Sequence, residues 1–177
     1  MKVKELAKTI SVLVLDVDGI LTDGRIYYSS AGEELKSFNI KDGLGIKMAQ
    51  RAGITVAIIT GRRSAMVERR ATELGITDLI QGREDKVTAL KELCARLDVT
   101  LAQCAYMGDD LPDLRAIEAA GLGMTVADGV EAVRDMADWI SQAKGGAGAV
   151  REACEFLLDA KGVRHTIEQA LTAGNAH

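Results

Sequence analysis

Little in this 177-residue chain is aromatic: one Trp, three Tyr and two Phe make up 3% of it, so its core has to be built from aliphatic side chains. Cysteine is scarce too. Cys94, Cys104 and Cys154 are odd in number, widely spaced and without a C-x-x-C pair, which excludes a disulfide framework or a zinc knuckle and suits small core residues in a reducing compartment. The two histidines, His165 and His177, lie near the end of the chain, and no Gly-x-Ser-x-Gly elbow occurs, so histidine-based hydrolase chemistry has no support. A basic excess is missing as well: 22 Lys and Arg against 26 Asp and Glu leave a net charge of −4, against a general nucleic-acid or anionic-membrane binder. Finally, no apolar run reaches the roughly 18 residues of a membrane span, and Asp16 and Asp18 interrupt the first apolar stretch before a signal-peptide core could form. A cytoplasmic protein is expected, with no nucleic-acid or membrane partner.

What is present is a 47% apolar sequence with 27% charged residues, the composition of one compact soluble domain. Short apolar runs at 12–17, 55–59, 79–80, 104–107 and 123–126 read as strands. Segments 44–52, 64–74, 86–97, 114–119, 130–136 and 149–160 carry apolar residues at three and four spacing and read as helices. This alternation predicts an α/β fold, a Rossmann-like doubly wound, mostly parallel sheet with helices on both faces. The first strand breaks the rhythm. It is followed by a β-hairpin over residues 25–40, and no insertion is long enough for a cap domain. One domain over residues 1–162 and a polar, mobile tail over 163–177 complete the expected layout.

In an open parallel sheet, ligands bind outside the carboxyl ends of the strands. The first strand ends in Asp16-Val17-Asp18-Gly19, and side-chain alternation predicts both carboxylates on one face. The fourth ends in Gly108-Asp109-Asp110-Leu111-Pro112-Asp113, with Asp109 and Asp113 about one helical turn apart. Clustered carboxylates are hard oxygen ligands suited to Mg²⁺. Either half alone reads equally well as turn or cap chemistry, and their coincidence at two strand ends favours a metal site. Thr60-Gly61-Arg62, after the second core strand, offers a hydroxyl, backbone N–H groups and a guanidinium, all suited to phosphate. Lys86 opens a helix, where by itself it would be a solvated cation.

In this order, Asp-x-Asp, Thr, Lys and Gly-Asp-Asp-x-x-Asp resemble the four motifs of the haloacid-dehalogenase-like phosphatases. The run from Asp16 to Gly24, the segment from Phe38 to Gly43, Thr60-Gly61-Arg62 with Ser64 and Arg70, and the stretch from Gly145 to Arg151 resemble the capless 3-deoxy-D-manno-octulosonate 8-phosphate phosphatases. That resemblance implies that Asp16 is the nucleophile and a metal ligand and that Asp18 is the acid/base, lending its carbonyl to the metal. It implies Asp109 as the second carboxylate ligand of Mg²⁺, with Thr60 and Lys86 on the phosphoryl group. Asn39, Ile40, Lys41, Asp42, Gly43, Lys47, Arg62 and Arg70, with Asp18 and Lys86, would bind the substrate. Asp110 and Asp113 are left as supporting or capping residues.

The resemblance also implies a homotetramer whose hairpins and tails complete neighbouring sites, and a product that is the sugar acid of bacterial lipopolysaccharide. A phosphate held by Mg²⁺, Lys86 and Thr60 would leave Arg62, Arg70 and Lys47 unpartnered, hence the expectation of a substrate carboxylate. A phosphatase for nine-carbon sugar-acid phosphates shares every motif and remains open. A phospho-accepting receiver module also has an acidic pair, a Thr and a Lys, but its Lys leaves the last strand and it has no place for Gly-Asp-Asp-x-x-Asp.

Overall fold

The computed structural model describes residues 2–173, so the last part of the expected tail, residues 174–177, lies outside the described residues. Six strands form one parallel sheet: β1 (Val12–Leu15), β4 (Thr55–Thr60), β5 (Asp78–Gln81), β6 (Cys104–Met107), β7 (Leu122–Thr125) and β8 (Trp139–Ile140), in the order β5-β4-β1-β6-β7-β8. Two more strands, β2 (Tyr27–Tyr28) and β3 (Glu34–Leu35), pair antiparallel as a separate ribbon. That ribbon is the expected hairpin, shorter than 25–40 because Ile40 already belongs to helix α2 (Ile40–Arg51).

The strands read as continuous apolar runs because both faces are covered. Leu13 and Leu15 point into a core closed by α1 (Lys2–Thr9), α2, α3 (Ala65–Leu74) and α7 (Ala149–Lys161). Val12 and Val14 point the other way, against α4 (Lys86–Arg96), α5 (Leu114–Ala119) and α6 (Glu131–Met136). Helices α2 and α7 approach closely at Gly45, where a Cβ would stand 3.0 Å from Arg151 Cα, which explains a glycine in a helix interior despite its propensity cost.

Three expectations need correction. The first strand ends at Leu15, not residue 17, so alternation does not reach Asp18 and the two aspartates take different partners. Helix α1 and strand β8 went unforeseen: α1 is short and lysine-rich and gains its order by lying on α7, where Lys161 Nζ donates to Lys8 O at 3.0 Å. The segment read as a mobile tail instead folds as α8 (Arg164–Thr172). Arg164 ties it to α7 through ion pairs with Glu155 (2.9 Å) and Asp159 (3.1 Å), and a pair with Glu168 (2.8 Å) lies within α8 itself.

Candidate active site

From β1 the chain runs first to β4 and β5, then crosses back to β6 on the other side, so its direction reverses between β1 and β6. A crevice opens at the carboxyl ends there. It is a cavity of about 690 Å³ lined by Asp16, Asp18, Thr60, Arg62, Lys86, Asp109, Asp110 and Asp113, among others.

Asp16 is buried directly beyond β1. Its Oδ1 accepts from Val17 N at 2.7 Å and its Oδ2 from Lys86 Nζ at 2.6 Å. The same ammonium donates to Asp113 Oδ1 at 2.7 Å, so Lys86 is a buried bridge between two carboxylates rather than a solvated cation. Burial alone would lower the Lys86 pKa, but Asp16 and Asp113 outweigh it and raise it. Asp113 holds the corner together: besides Lys86 it accepts from Tyr106 Oη at 2.8 Å, Asp109 N at 3.1 Å and Asp110 N at 3.3 Å. Asp113, expected as a supporting or capping residue on its four-residue spacing from Asp109, takes the supporting place; Tyr106 was missed. Asp110 caps the 3₁₀ turn at Leu111–Asp113 through Leu111 N.

Asp109 is different: its carboxylate accepts no hydrogen bond from any described residue. It presses against the loop after β1, where a Cβ on Gly19 would stand 1.9 Å from Asp109 Oδ2, and Gly19 itself has φ of +86°. Asp16, Asp109 and Asp113 each offer an oxygen, all within 4.8 Å of one another. Burial first, then the neighbouring Asp113 charge, raise the Asp16 and Asp109 pKa values to about 7. Such a crowd of hard oxygen donors is short of positive charge, and Mg²⁺ fits it. Asp113 accepts four hydrogen bonds and Asp16 two, so Asp109 is the carboxylate of the three whose oxygens carry no donor among the described residues. The carboxylate of Asp18 is not in the cluster; its Oδ1 accepts from Lys36 Nζ at 2.6 Å.

The expected substrate-binding set is only partly assembled. Arg62 and Lys86 reach the cavity, but Asn39, Ile40, Lys41, Asp42, Gly43, Lys47 and Arg70 do not line it. Asn39 caps α2, accepting from Lys41 N, and donates from Nδ2 to Gly146 O at 3.3 Å. Asp42 is buried and accepts from Arg151 N at 2.9 Å, anchoring the start of α7. Ile40, Lys41 and Lys47 are exposed, and Gly43 lies under Arg70. The expectation of unpartnered guanidinium groups is overturned: Arg62 pairs with both oxygens of Glu34 at 3.1 Å, and Arg70 with Glu73 at 3.4 Å. Those partners arrive from the hairpin and from the next turn of α3.

Comparison with known proteins bears on this geometry. The profile described as haloacid dehalogenase-like hydrolase matches residues 73–152. The chain is 47% identical over 156 residues to 3-deoxy-D-manno-octulosonate 8-phosphate phosphatase KdsC of Escherichia coli strain K12, covering 88% of this chain and 83% of that protein. The chain belongs to the 3-deoxy-D-manno-octulosonate 8-phosphate phosphatase family. Solved structures of this family superpose closely. The Moraxella catarrhalis phosphatase in complex with magnesium ion, phosphate ion and a KDO molecule matches with a TM-score of 0.94 at 49% identity, covering 96% of this chain and 98% of that one. A cobalt-bound form of the Haemophilus influenzae phosphatase matches with a TM-score of 0.87 at 42% identity, covering 90% and 93%. As in those family members, a parallel sheet with helices on both faces carries the site, and no cap domain is inserted among the described residues. Membership also removes the receiver-module alternative.

Proposed function

We propose that the chain hydrolyses 3-deoxy-D-manno-octulosonate 8-phosphate to the free sugar acid and phosphate, with Mg²⁺ as its metal. The observation that carries this reading is the meeting of Asp16, Lys86, Asp18 and Asp109 around one open cavity, in a family whose Moraxella member holds magnesium, phosphate and KDO. When bound between Asp16 and Asp109, with the Asp18 carbonyl, Mg²⁺ supplies charge neutralisation at the phosphoryl oxygens.

Asp16 attacks: its oxygen bonds to phosphorus as the bond from phosphorus to the sugar oxygen breaks, and Asp18 gives a proton to the departing oxygen. Asp18, now a carboxylate, takes a proton from a water molecule whose oxygen attacks phosphorus. The bond to Asp16 then breaks and phosphate leaves. Lys86 and Thr60 hold the transferred phosphoryl oxygens, and Asp113 and Tyr106 keep Lys86 aimed at them. Arg62 meets the sugar carboxylate by exchanging it for Glu34.

The exposed members of the remaining substrate-binding set, Ile40, Lys41 and Lys47, face a neighbouring subunit's cavity in a homotetramer, while Asp42 and Gly43 are buried supports beneath them. What supports this is the apolar surface beside them: Ile26, Tyr28, Leu35 and Ile40 are 50%, 70%, 54% and 84% exposed on the hairpin and the start of α2. Three free, buried cysteines suit a cytoplasmic setting. The deciding experiment measures kcat/KM for the eight-carbon acid phosphate, a nine-carbon sugar-acid phosphate and glucose 6-phosphate. Preference for the nine-carbon acid would move the assignment to the sister activity, and equal values for acidic and neutral sugars would refute the carboxylate argument. Light scattering reporting an active monomer would refute the assembly.

A further inference from the structure

We propose that Lys36 is a positioning residue for Asp18, holding the acid/base carboxylate in the orientation that proton transfer requires; the inference rests on the phosphatase reading above. The catalytic carboxylates differ in what holds them. Asp16 has two donors and Asp113 four, all supplied by the strand ends and α4. Asp18, in the loop beyond β1, has one among the described residues: Lys36 Nζ, 2.6 Å from Oδ1. Its other oxygen is left for the reacting proton. A carboxylate on a loop with no other partner turns freely, and proton transfer needs it within hydrogen-bond reach of the departing oxygen.

The setting of Lys36 points to a purpose beyond fastening the hairpin. Its side chain is 3% exposed, although it follows Leu35 and faces a ribbon in which Tyr28 is 70% exposed. Burying an ammonium is costly even when paired, and an apolar side chain of the same length would seat a surface ribbon at less cost. Lys36 instead carries its charge inward. Its stem forms part of the wall of a smaller cleft of about 320 Å³ with Phe38, Met66 and Arg70, and its tip reaches Asp18 in the catalytic cavity. Glu34, 3.5 Å from the ammonium, steadies it and also binds Arg62 at the exit of β4. A ribbon with strands of two residues has little stability of its own, so these ion pairs fix where it sits. The orientation of Asp18 therefore depends on the hairpin.

The test uses leaving groups of different demand. A sugar oxygen needs the Asp18 proton to depart, whereas the nitrophenolate of 4-nitrophenyl phosphate leaves without it, and kcat/KM reports only events through that departure. Lys36→Met keeps the stem and removes the charge. It should lower kcat/KM by about 10- to 100-fold on the sugar-acid phosphate and by less than about 3-fold on the aryl phosphate, a share of what general acid catalysis contributes. Placed on an Asp18→Asn background, the same change should cost nothing further on the sugar ester, since there is no acid left to orient. Lys36→Gln, which keeps a polar tip, repeats the comparison if the methionine variant unfolds. Equal losses on both esters, as from direct phosphate binding or a displaced hairpin, overturn the proposal, as does an undiminished loss in the Asp18→Asn background. A wild-type protein that turns over neither ester refutes the phosphatase reading itself.

Discussion

Removing the metal should make the stability of this protein fall as pH rises, and Asp109 gives the size of the effect. Burial first, then the charges of Asp113 and Asp16, raise its pKa from near 3.8 to about 7 in the folded, metal-free chain. A carboxyl raised in this way stabilises the fold fully below its unfolded value, and that stability is lost as pH climbs to the folded value. Between pH 5 and 7.5 the protein crosses about two pH units of that window. At about 1.4 kcal/mol per unit, Asp109 alone contributes a loss of about 3 kcal/mol. For a chain of this length that is about 6–12 °C in Tm. The assay is thermal denaturation in chelator at pH 5, 6 and 7.5, for wild type and for Asp109→Asn, which cannot titrate. Wild type should lose more Tm across the window than the variant, by about the stated amount. Mg²⁺ at pH 7.5 should restore the wild type and do little for the variant, because a bound cation favours the ionised carboxylate. Parallel wild-type and variant curves in chelator would refute the reasoning.

Asp16→Asn should abolish turnover while leaving the melting curve cooperative, since it removes the attacking oxygen with almost no change of shape; wild-type activity in the purified variant would contradict the nucleophile assignment. Lys86→Met should cost on the order of 10²–10³ in rate, the usual loss for one preorganised charge-stabilising group, measured by single-turnover hydrolysis. Tyr106→Phe should be milder, about 1 kcal/mol of stability with a smaller rate loss, because it deletes one donor to Asp113 and leaves the Lys86 bridge in place. Activity should vanish in chelator and return with Mg²⁺ but not with Ca²⁺, whose longer bonds and six to eight ligands suit the cluster poorly; full activity in excess chelator would defeat the metal assignment.

Much of the site was legible in the sequence because strand ends in a parallel sheet all open on one crevice. Once 12–17, 55–59 and 104–107 are read as strands, Asp16, Thr60 and Asp109 fall at their carboxyl ends and must gather there, and the structure gathers them. Lys86 was legible only through its family pattern. A lysine opening a helix reads as solvated, and its burial follows from the start of α4 lying where the ammonium meets Asp16, beyond β1, and Asp113, beyond β6.

Periodicity along the chain decided the element types, the two-faced burial of β1 and the side of the sheet on which chemistry occurs, because alternation and helical spacing are properties of neighbouring residues. The partners of Arg62 and Asp18 were decided by tertiary structure alone. Arg62 looked unpaired until the hairpin folded Glu34 onto it from 28 positions away, and Asp18 looked like a twin of Asp16 until Lys36 claimed it from 18 positions away. The same holds for the pairs of Arg164 with Glu155 and Asp159 of α7, which turn a polar tail into a docked helix. A flexible side chain several ångströms long takes its partner from whichever element packs over it, and that choice is made by the fold, not by local sequence.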